Sequence, residues 1–296
     1  MAMQPELVRA ATFALKGHSG AQLTLIEAAG AIYVRKSATR PAQNARLAEQ
    51  CRKLQTAREA GLPCPAVYQT GEADGCFFFD MAFVPGETLA HAILSGKELH
   101  WPGLITQITA LLSRLRATAA DDIPEQAFHD KLRGILGQCR DNPAAVGEVA
   151  AVERIMDRLL EMPWTDIPQS LCHGDMTLEN MLLRQDDSLV FLDFDVPEHS
   201  SWQLDIGKMY QDVIGHWCLR NLALAQPDSM ELLNAQVAMA RTETALAPAI
   251  GAMVPGGRDR LAQLASFHLT RTLPYARSAD IVGYVVRRIE VLLGLR

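Results

Sequence analysis

Asp175, Asn180 and Asp193 are the residues whose types and spacing best suit chemistry in this chain. Asp175 and Asn180 stand in His173-Gly174-Asp175-Met176-Thr177-Leu178-Glu179-Asn180, and Asp193 closes the apolar run Leu189-Val190-Phe191-Leu192. Between them lie a second apolar run, Met181-Leu182-Leu183, and a polar stretch over 184–188. Each run has the length of a buried strand, and the polar stretch reads as a hairpin tip. A hairpin would fold its ends back together and bring two carboxylates and one carboxamide oxygen to one spot. An all-oxygen set suits a hard cation such as Mg²⁺, with a proton acceptor beside it. Taken singly, Asp and Asn at this spacing are ordinary cap or turn residues. Two features favour chemistry. The stretch lies between apolar segments, where unpaired polar groups are costly. The second run also ends in Asp193-Phe194-Asp195, acids where a core strand would carry none.

The elements that must position these groups are legible from periodicity. Residues 11–36 alternate as short strands with a turn at Ala28-Ala29-Gly30, and 42–60 switch to helical spacing with Leu47, Cys51 and Leu54 on one side. Gly61 stops that helix, and 66–68 and 76–81 read as two further strands. The first unit, 1–82, is therefore predicted to be a small antiparallel sheet of five strands with one inserted helix. Pro85-Gly86 punctuates the chain. Beyond it, 83–296 is predicted to be mainly helical, with helices over 102–118, 127–139, 145–161, 201–225, 229–248, 258–275 and 278–293 around the hairpin. The fold class is α+β.

His-Gly-Asp-x-x-x-x-Asn, a hairpin, then apolar-Asp-Phe-Asp resembles the aminoglycoside phosphotransferase and choline kinase superfamily, small-molecule kinases with a bilobal protein-kinase-like fold. The resemblance runs along nearly the whole chain. It implies ATP as phosphoryl donor, with GTP not excluded, and Mg²⁺ as cofactor. It implies Asp175 as catalytic base, Asn180 and Asp193 as Mg²⁺ ligands, and His173 as a structural member of the loop. Lys36, which alone would be a solvated strand-end charge, matches the strand lysine that neutralises phosphate charge, with Glu49 as the helix glutamate orienting it. Arg35 lies on the opposite strand face. Gly17-His18-Ser19-Gly20 is otherwise a plain hairpin turn. The resemblance implies that its Ser19 and Gly20 N–H groups face phosphates, and that Met81 to Phe83 is the hinge against adenine. Asp205 resembles the aspartate that braces the catalytic loop through backbone N–H groups. Asp195 is left between metal and substrate, and Glu198, His199, Trp202 and Asp212 are substrate-side candidates.

Composition bounds the rest. The 296 residues, 49% hydrophobic and 21% charged, read as an ordinary soluble globular protein, and the net charge of −6 argues against nonspecific nucleic-acid binding. The six cysteines form no Cys-x-x-Cys pair and no zinc-spaced group with histidine. No basic leader precedes an apolar stretch, and no apolar run approaches membrane-spanning length. The expectation is a cytoplasmic enzyme with a small-molecule substrate and no nucleic-acid or membrane partner. The motifs leave open the oligomeric state and which hydroxyl is phosphorylated, in a sugar, an amino alcohol or an aminoglycoside. The rival readings are a nucleotide-binding pseudokinase acting as a regulatory module, and a protein kinase. The latter lacks an Ala-Pro-Glu segment after Asp193 and room for a long activation loop before Asp205.

Overall fold

The computed structural model describes residues 12–15, 20–28 and 31–295. The chain divides into two compact units. The first is Met1–Gly86 together with Val190–Val196; the second is Glu87–Leu189 and Pro197–Arg296.

The first unit carries β1 (Thr12–Leu15), β2 (Gln22–Ala28), β3 (Ala31–Ser37), α1 (Asn44–Glu59), β4 (Val67–Ala73) and β5 (Cys76–Ala82). The five strands form one antiparallel sheet of order β1-β2-β3-β5-β4. Strand alternation turns Val34 and Lys36 into the interior and Arg35 the other way. Arg35 faces Asp80 in the β3–β5 register and forms a two-pronged pair with it, at 2.7 and 2.8 Å. α1 buries Leu47, Gln50, Cys51, Leu54 and Ala57, a single helical face. It ends at Gly61, whose φ of 73° is left-handed. The Gly61 N–H bonds to the Arg58 carbonyl and the Leu62 N–H to that of Ala57, so glycine closes the helix as its position predicts. The segment 190–196 is tied into this unit by the Phe191 N–H, which donates to the Pro63 carbonyl at 2.8 Å.

The second unit opens with β6 (Glu87–Thr88), α2 (Leu89–Leu94), α3 (Trp101–Arg116), α4 (Glu125–Asp141) and α5 (Val149–Glu161). The short strand β7 (Met181–Leu183) runs antiparallel to β6. Past the turn the chain enters β8 (Leu189–Phe191). The turn is closed by the Arg184 N–H donating to the Ser188 carbonyl at 2.9 Å. α6 (Trp202–Val213), α7 (Arg220–Ala225), α8 (Met230–Gly251), α9 (Gly257–Thr270) and α10 (Ala279–Leu292) complete it. Its core includes an aromatic cluster in which Phe128 stacks on Trp164 at 4.7 Å and Phe267 meets them at 5.7 and 5.2 Å. Among the described residues, no helix is long and apolar enough to cross a membrane.

The α+β fold read from the sequence is the one formed, with local differences. The helix predicted over 201–225 is two, because His216 takes a left-handed φ of 56° and the Ile214 and Gly215 N–H groups both turn onto the Tyr210 carbonyl. Periodicity continued across this break, and the signal against it was Gly215 alone. α8 passes through Pro248, where the sequence placed a stop. The proline has a helical φ but removes one helix hydrogen bond, and α8 ends three residues later at Gly251. α2, a short helix, has no counterpart among the predicted ones. It is capped by the Thr88 hydroxyl, which accepts the His91 N–H at 3.1 Å.

α6 lies close against α9 at Gly207. A methyl group there would come within 2.8 Å of Leu264 Cβ and 3.1 Å of its carbonyl oxygen. Gly207→Ala gains about 1 kcal/mol of helix propensity but overpacks this contact, at a cost of about 1–3 kcal/mol. The variant is expected to be less stable than the parent by urea unfolding. An increase in stability would show that the two helices can part freely.

Candidate functional site

The loop after Leu171 is built by hydrogen bonds to its own backbone and to one face of α6. His173 is buried, and its N–H donates to Asp205 Oδ2 at 2.6 Å; the Gly174 N–H donates to Oδ1 at 2.7 Å. Gly174 sits at φ 90°, which glycine adopts without a steric penalty. The Asp175 N–H donates to His173 Nδ1 at 3.2 Å, so that ring nitrogen is an acceptor within the loop. Downstream, the Thr177 N–H bonds to the Asp175 carbonyl at 2.8 Å, and the Asn180 N–H to that of Thr177 at 3.1 Å. The loop therefore doubles back, and Asn180 returns to Asp175. Its amide nitrogen donates to the Asp175 main-chain oxygen at 2.8 Å and to Oδ2 at 2.9 Å. Lys208 Nζ lies 3.0 Å from the other carboxylate oxygen, Oδ1. The Leu178 N–H donates to Asp212 Oδ2 at 2.9 Å.

Asp205, Lys208 and Asp212 occupy positions i, i+3 and i+7 of α6 and share one helix face. α6 starts at Ser201, whose hydroxyl accepts the Gln203 N–H at 3.3 Å. Asp205 lies in the first turn, where the helix dipole favours a carboxylate. Asp205 is the brace its position implies. Lys208 is not among the predicted site residues. Asp212, weighed there as a substrate-side group, is instead buried and holds the loop backbone. The signal for both was a polar stripe at helical spacing in an otherwise apolar helix. Of the other substrate-side candidates, Trp202 is buried under the Arg116 guanidinium, His199 lies against Phe128 and Glu198 pairs with Lys131 at 3.0 Å.

The first unit gathers a second cluster. Lys36 is buried, and its ammonium donates to Gln50 Oε1 at 3.0 Å and to Asp193 Oδ1. Asp193 takes a left-handed φ of 57°, which Asp tolerates better than most residues. Gln50 Nε2 donates to Asp195 Oδ1 at 2.8 Å, Arg46 pairs with the same carboxylate at 3.1 Å, and Lys53 donates to the Asp195 carbonyl. Burial pushes the Asp195 carboxyl up, but the Gln50 bond and the Arg46 charge outweigh it and hold the group below its usual range. Asp195, left open between metal and substrate, is thus held by α1.

The expected Lys36–Glu49 pair does not form. Glu49 is half-buried and pairs with Arg52 one turn along, while Gln50 reaches Lys36. The reason is helical phase: the buried face of α1 runs through 47, 50, 51, 54 and 57. Ser19 lies outside the described residues. Gly20 stands ahead of β2 at φ 75°, with its carbonyl accepting from the Gln43 amide at 3.5 Å. Met81 is in β5, opposite Val34, and Phe83 follows the strand, 40% exposed.

Residues 11–249 match the model of the phosphotransferase enzyme family. Among solved structures, the chain is similar to a thermostable mutant of aminoglycoside phosphotransferase APH(4)-Ia in ternary complex with AMP-PNP and hygromycin B. The TM-score is 0.61 at 15% identity, over 96% of this chain and 94% of that one. It is also similar to a putative fructosamine-3-kinase from Haemophilus somnus, with a TM-score of 0.56 at 13% identity over 96% and 90% of the two chains. A third likeness is to Plasmodium vivax ethanolamine kinase, with a TM-score of 0.52 at 12% identity over 98% and 84%. At these identities the likeness is one of fold, and it lies within the superfamily that the motifs resemble. A search of curated proteins finds no match.

Electrostatics single out Asp212. Burial lifts its carboxyl to about 7; the Leu178 N–H and Lys208 work against that shift, and Glu179 and Asp175 add to it. The folded pKa is above the unfolded value near 4. The stabilisation is therefore complete below about pH 4 and is lost as pH rises through about 7. Asp212→Asn keeps an acceptor for Leu178 and removes the titration. Relative to the parent, this variant is expected to gain stability between about pH 4 and pH 7, by at most about 1.4 kcal/mol per unit, and to hold level above. A pH-independent difference in denaturant midpoint would contradict the assignment.

Proposed function

Because the chain belongs to the phosphotransferase enzyme family, we propose that it transfers the γ-phosphoryl group of ATP to a hydroxyl of a small molecule. The observation that carries this reading is the Asp175 carboxylate, held between the Asn180 amide and the Lys208 ammonium on a loop whose backbone is pinned to α6. A carboxylate so fixed is suited to align a hydroxyl and take its proton as the oxygen attacks phosphorus. In that step the new O–P bond forms, the bond from phosphorus to the leaving diphosphate oxygen breaks, and the proton goes to Asp175.

The donors proposed for Mg²⁺ are the Asn180 amide oxygen and the Asp193 carboxylate. They fit a hard cation. The Asn180 nitrogen is committed to Asp175, which leaves its oxygen as the donor. Among the described residues, no group of three or more His, Cys, Asp or Glu is placed to hold a metal ion. Mg²⁺ bound through one or two protein oxygens, phosphates and water needs no such cage. Bound there, it would offset charge on the phosphates. In this reading 1–82 is the nucleotide-binding lobe. Lys36 neutralises phosphate charge, Ser19 and Gly20 offer backbone N–H groups, and Met81 and Phe83 flank the base. Glu49 has no part in orienting Lys36; Gln50 takes that role. The lobe 83–296 supplies the catalytic loop and the acceptor site. A cytoplasmic location fits the use of ATP, and GTP is a second donor to test.

A sugar or sugar-like alcohol is placed ahead of an aminoglycoside, because the acids of the closing helices are scattered along the sequence, and the two that meet the loop, Asp205 and Asp212, are engaged by its backbone N–H groups. The test is turnover of Mg²⁺-ATP against monosaccharides, amino alcohols and aminoglycosides. Nucleotide binding with no transfer to any of them would support a pseudokinase instead. Asp175→Asn is expected to lower turnover about 100-fold or more, with nucleotide affinity retained; equal turnover would remove the role assigned to Asp175. Asp193→Ala is expected to weaken Mg²⁺-nucleotide binding, and unchanged affinity by calorimetry would contradict the metal role.

A further inference from the structure

α6 meets the loop with three side chains, and they do not do the same work. Asp205 and Asp212 accept backbone N–H groups at the two ends of the loop. Lys208, between them, reaches a side chain, that of Asp175. Its side chain is 18% exposed, so the ammonium is held near the carboxylate instead of ranging through solvent as an exposed lysine does. Ordering a lysine costs rotamer entropy, and a partner in fixed geometry is what offsets it.

The consequence for Asp175 is geometric. A carboxylate gripped at one oxygen still rotates about its terminal bond. Asp175 has a donor on each oxygen, Asn180 Nδ2 at 2.9 Å and Lys208 Nζ at 3.0 Å. The two together fix the plane of the group. Each oxygen keeps a further lone pair, so an incoming hydroxyl can donate without displacing either donor. Lys208 also sets a positive charge against a carboxylate that must stay close to a polyanionic nucleotide. The acidic groups that bear on this face besides Asp175 are Asp205, Asp212 and Glu179. His268, from α9, is held neutral by burial, with Arg271 and Lys208 nearby, so Lys208 supplies the cation that touches Asp175.

We propose that Lys208 is a positioning residue for phosphoryl transfer: it orients the Asp175 carboxylate toward the acceptor hydroxyl and offsets its repulsion from the nucleotide phosphates. This rests on Asp175 being the base. Lys208 exchanges no proton in the step; the hydroxyl proton goes to Asp175 alone.

The test compares the parent, Lys208→Met, Lys208→Arg and both lysine variants in an Asp175→Asn background, with the acceptor found in the turnover panel. Methionine keeps the length and helix propensity of lysine. Lys208→Met is expected to lower kcat about 10- to 100-fold, with KM for ATP within about two-fold, and Lys208→Arg to recover most of the loss. In the Asp175→Asn background Lys208→Met is expected to cost nothing further, since residues acting as a unit are not additive. Unchanged kcat in Lys208→Met, an equal loss in the Asp175→Asn background, or a loss matched by a fall in thermal midpoint would each overturn the proposal. A parent enzyme that transfers phosphate to nothing would overturn the functional reading and this one together. An active parent that is indifferent to Lys208 would overturn this one alone.

Discussion

The Asp205 carboxylate accepts the N–H groups of His173 and Gly174 while almost wholly buried. Every other position in the loop follows from that interaction. Burying a carboxylate costs several kcal/mol unless its lone pairs are met. Here two charge-assisted bonds meet them, in the first turn of α6 where the helix dipole adds to the effect. The same bonds satisfy two backbone donors that no strand or helix serves. Once those two peptides are fixed, the left-handed turn at Gly174 decides where Asp175 points. The return of Asn180 then closes the loop on itself.

The cluster around Lys36 obeys a similar economy with a different partner. Gln50 accepts from the Lys36 ammonium with one end of its amide and donates to Asp195 with the other. A glutamate in its place could accept from the lysine but would face Asp195 as a like charge. An amide is the side chain that links a cation to an anion in series. The motif read from the sequence supplied a glutamate one position away because it sought a charge for Lys36. The helix supplies a neutral relay, and the charge for Lys36 comes from Asp193.

What the sequence made legible was what local rules control. Alternation gave the strands and set Arg35 and Lys36 on opposite faces, Gly61 gave the end of α1, and the spacing of Asp175, Asn180 and Asp193 marked the stretch on which the family resemblance rests. What escaped it depended on contacts between distant segments. Helix phase alone could have chosen Gln50 over Glu49, since Leu47, Cys51 and Leu54 already marked the buried face. Lys208 could not be assigned by that route. A lysine on an apolar helix reads as a solvated charge until the loop it meets is in place. The break after α6 was hidden for a related reason: apolar residues continue across it, and only Gly215 and the left-handed His216 mark the change in direction.

The regular pitch of α6 also sets a length for the loop. Asp205 and Asp212 are separated by about 10 Å along a helix rising 1.5 Å per residue. The loop between the peptides they hold, from His173 to Leu178, could stretch to roughly 17 Å if extended. It must therefore keep a fixed amount of slack, taken up by the turn at Gly174 and the tight bond from Thr177 back to Asp175. The helix acts as a gauge against which the loop is cut. Substitutions within the loop can be absorbed one by one. Adding or removing a residue puts one end out of step with its anchor, so the segment between His173 and Leu178 should change in kind far more readily than in number.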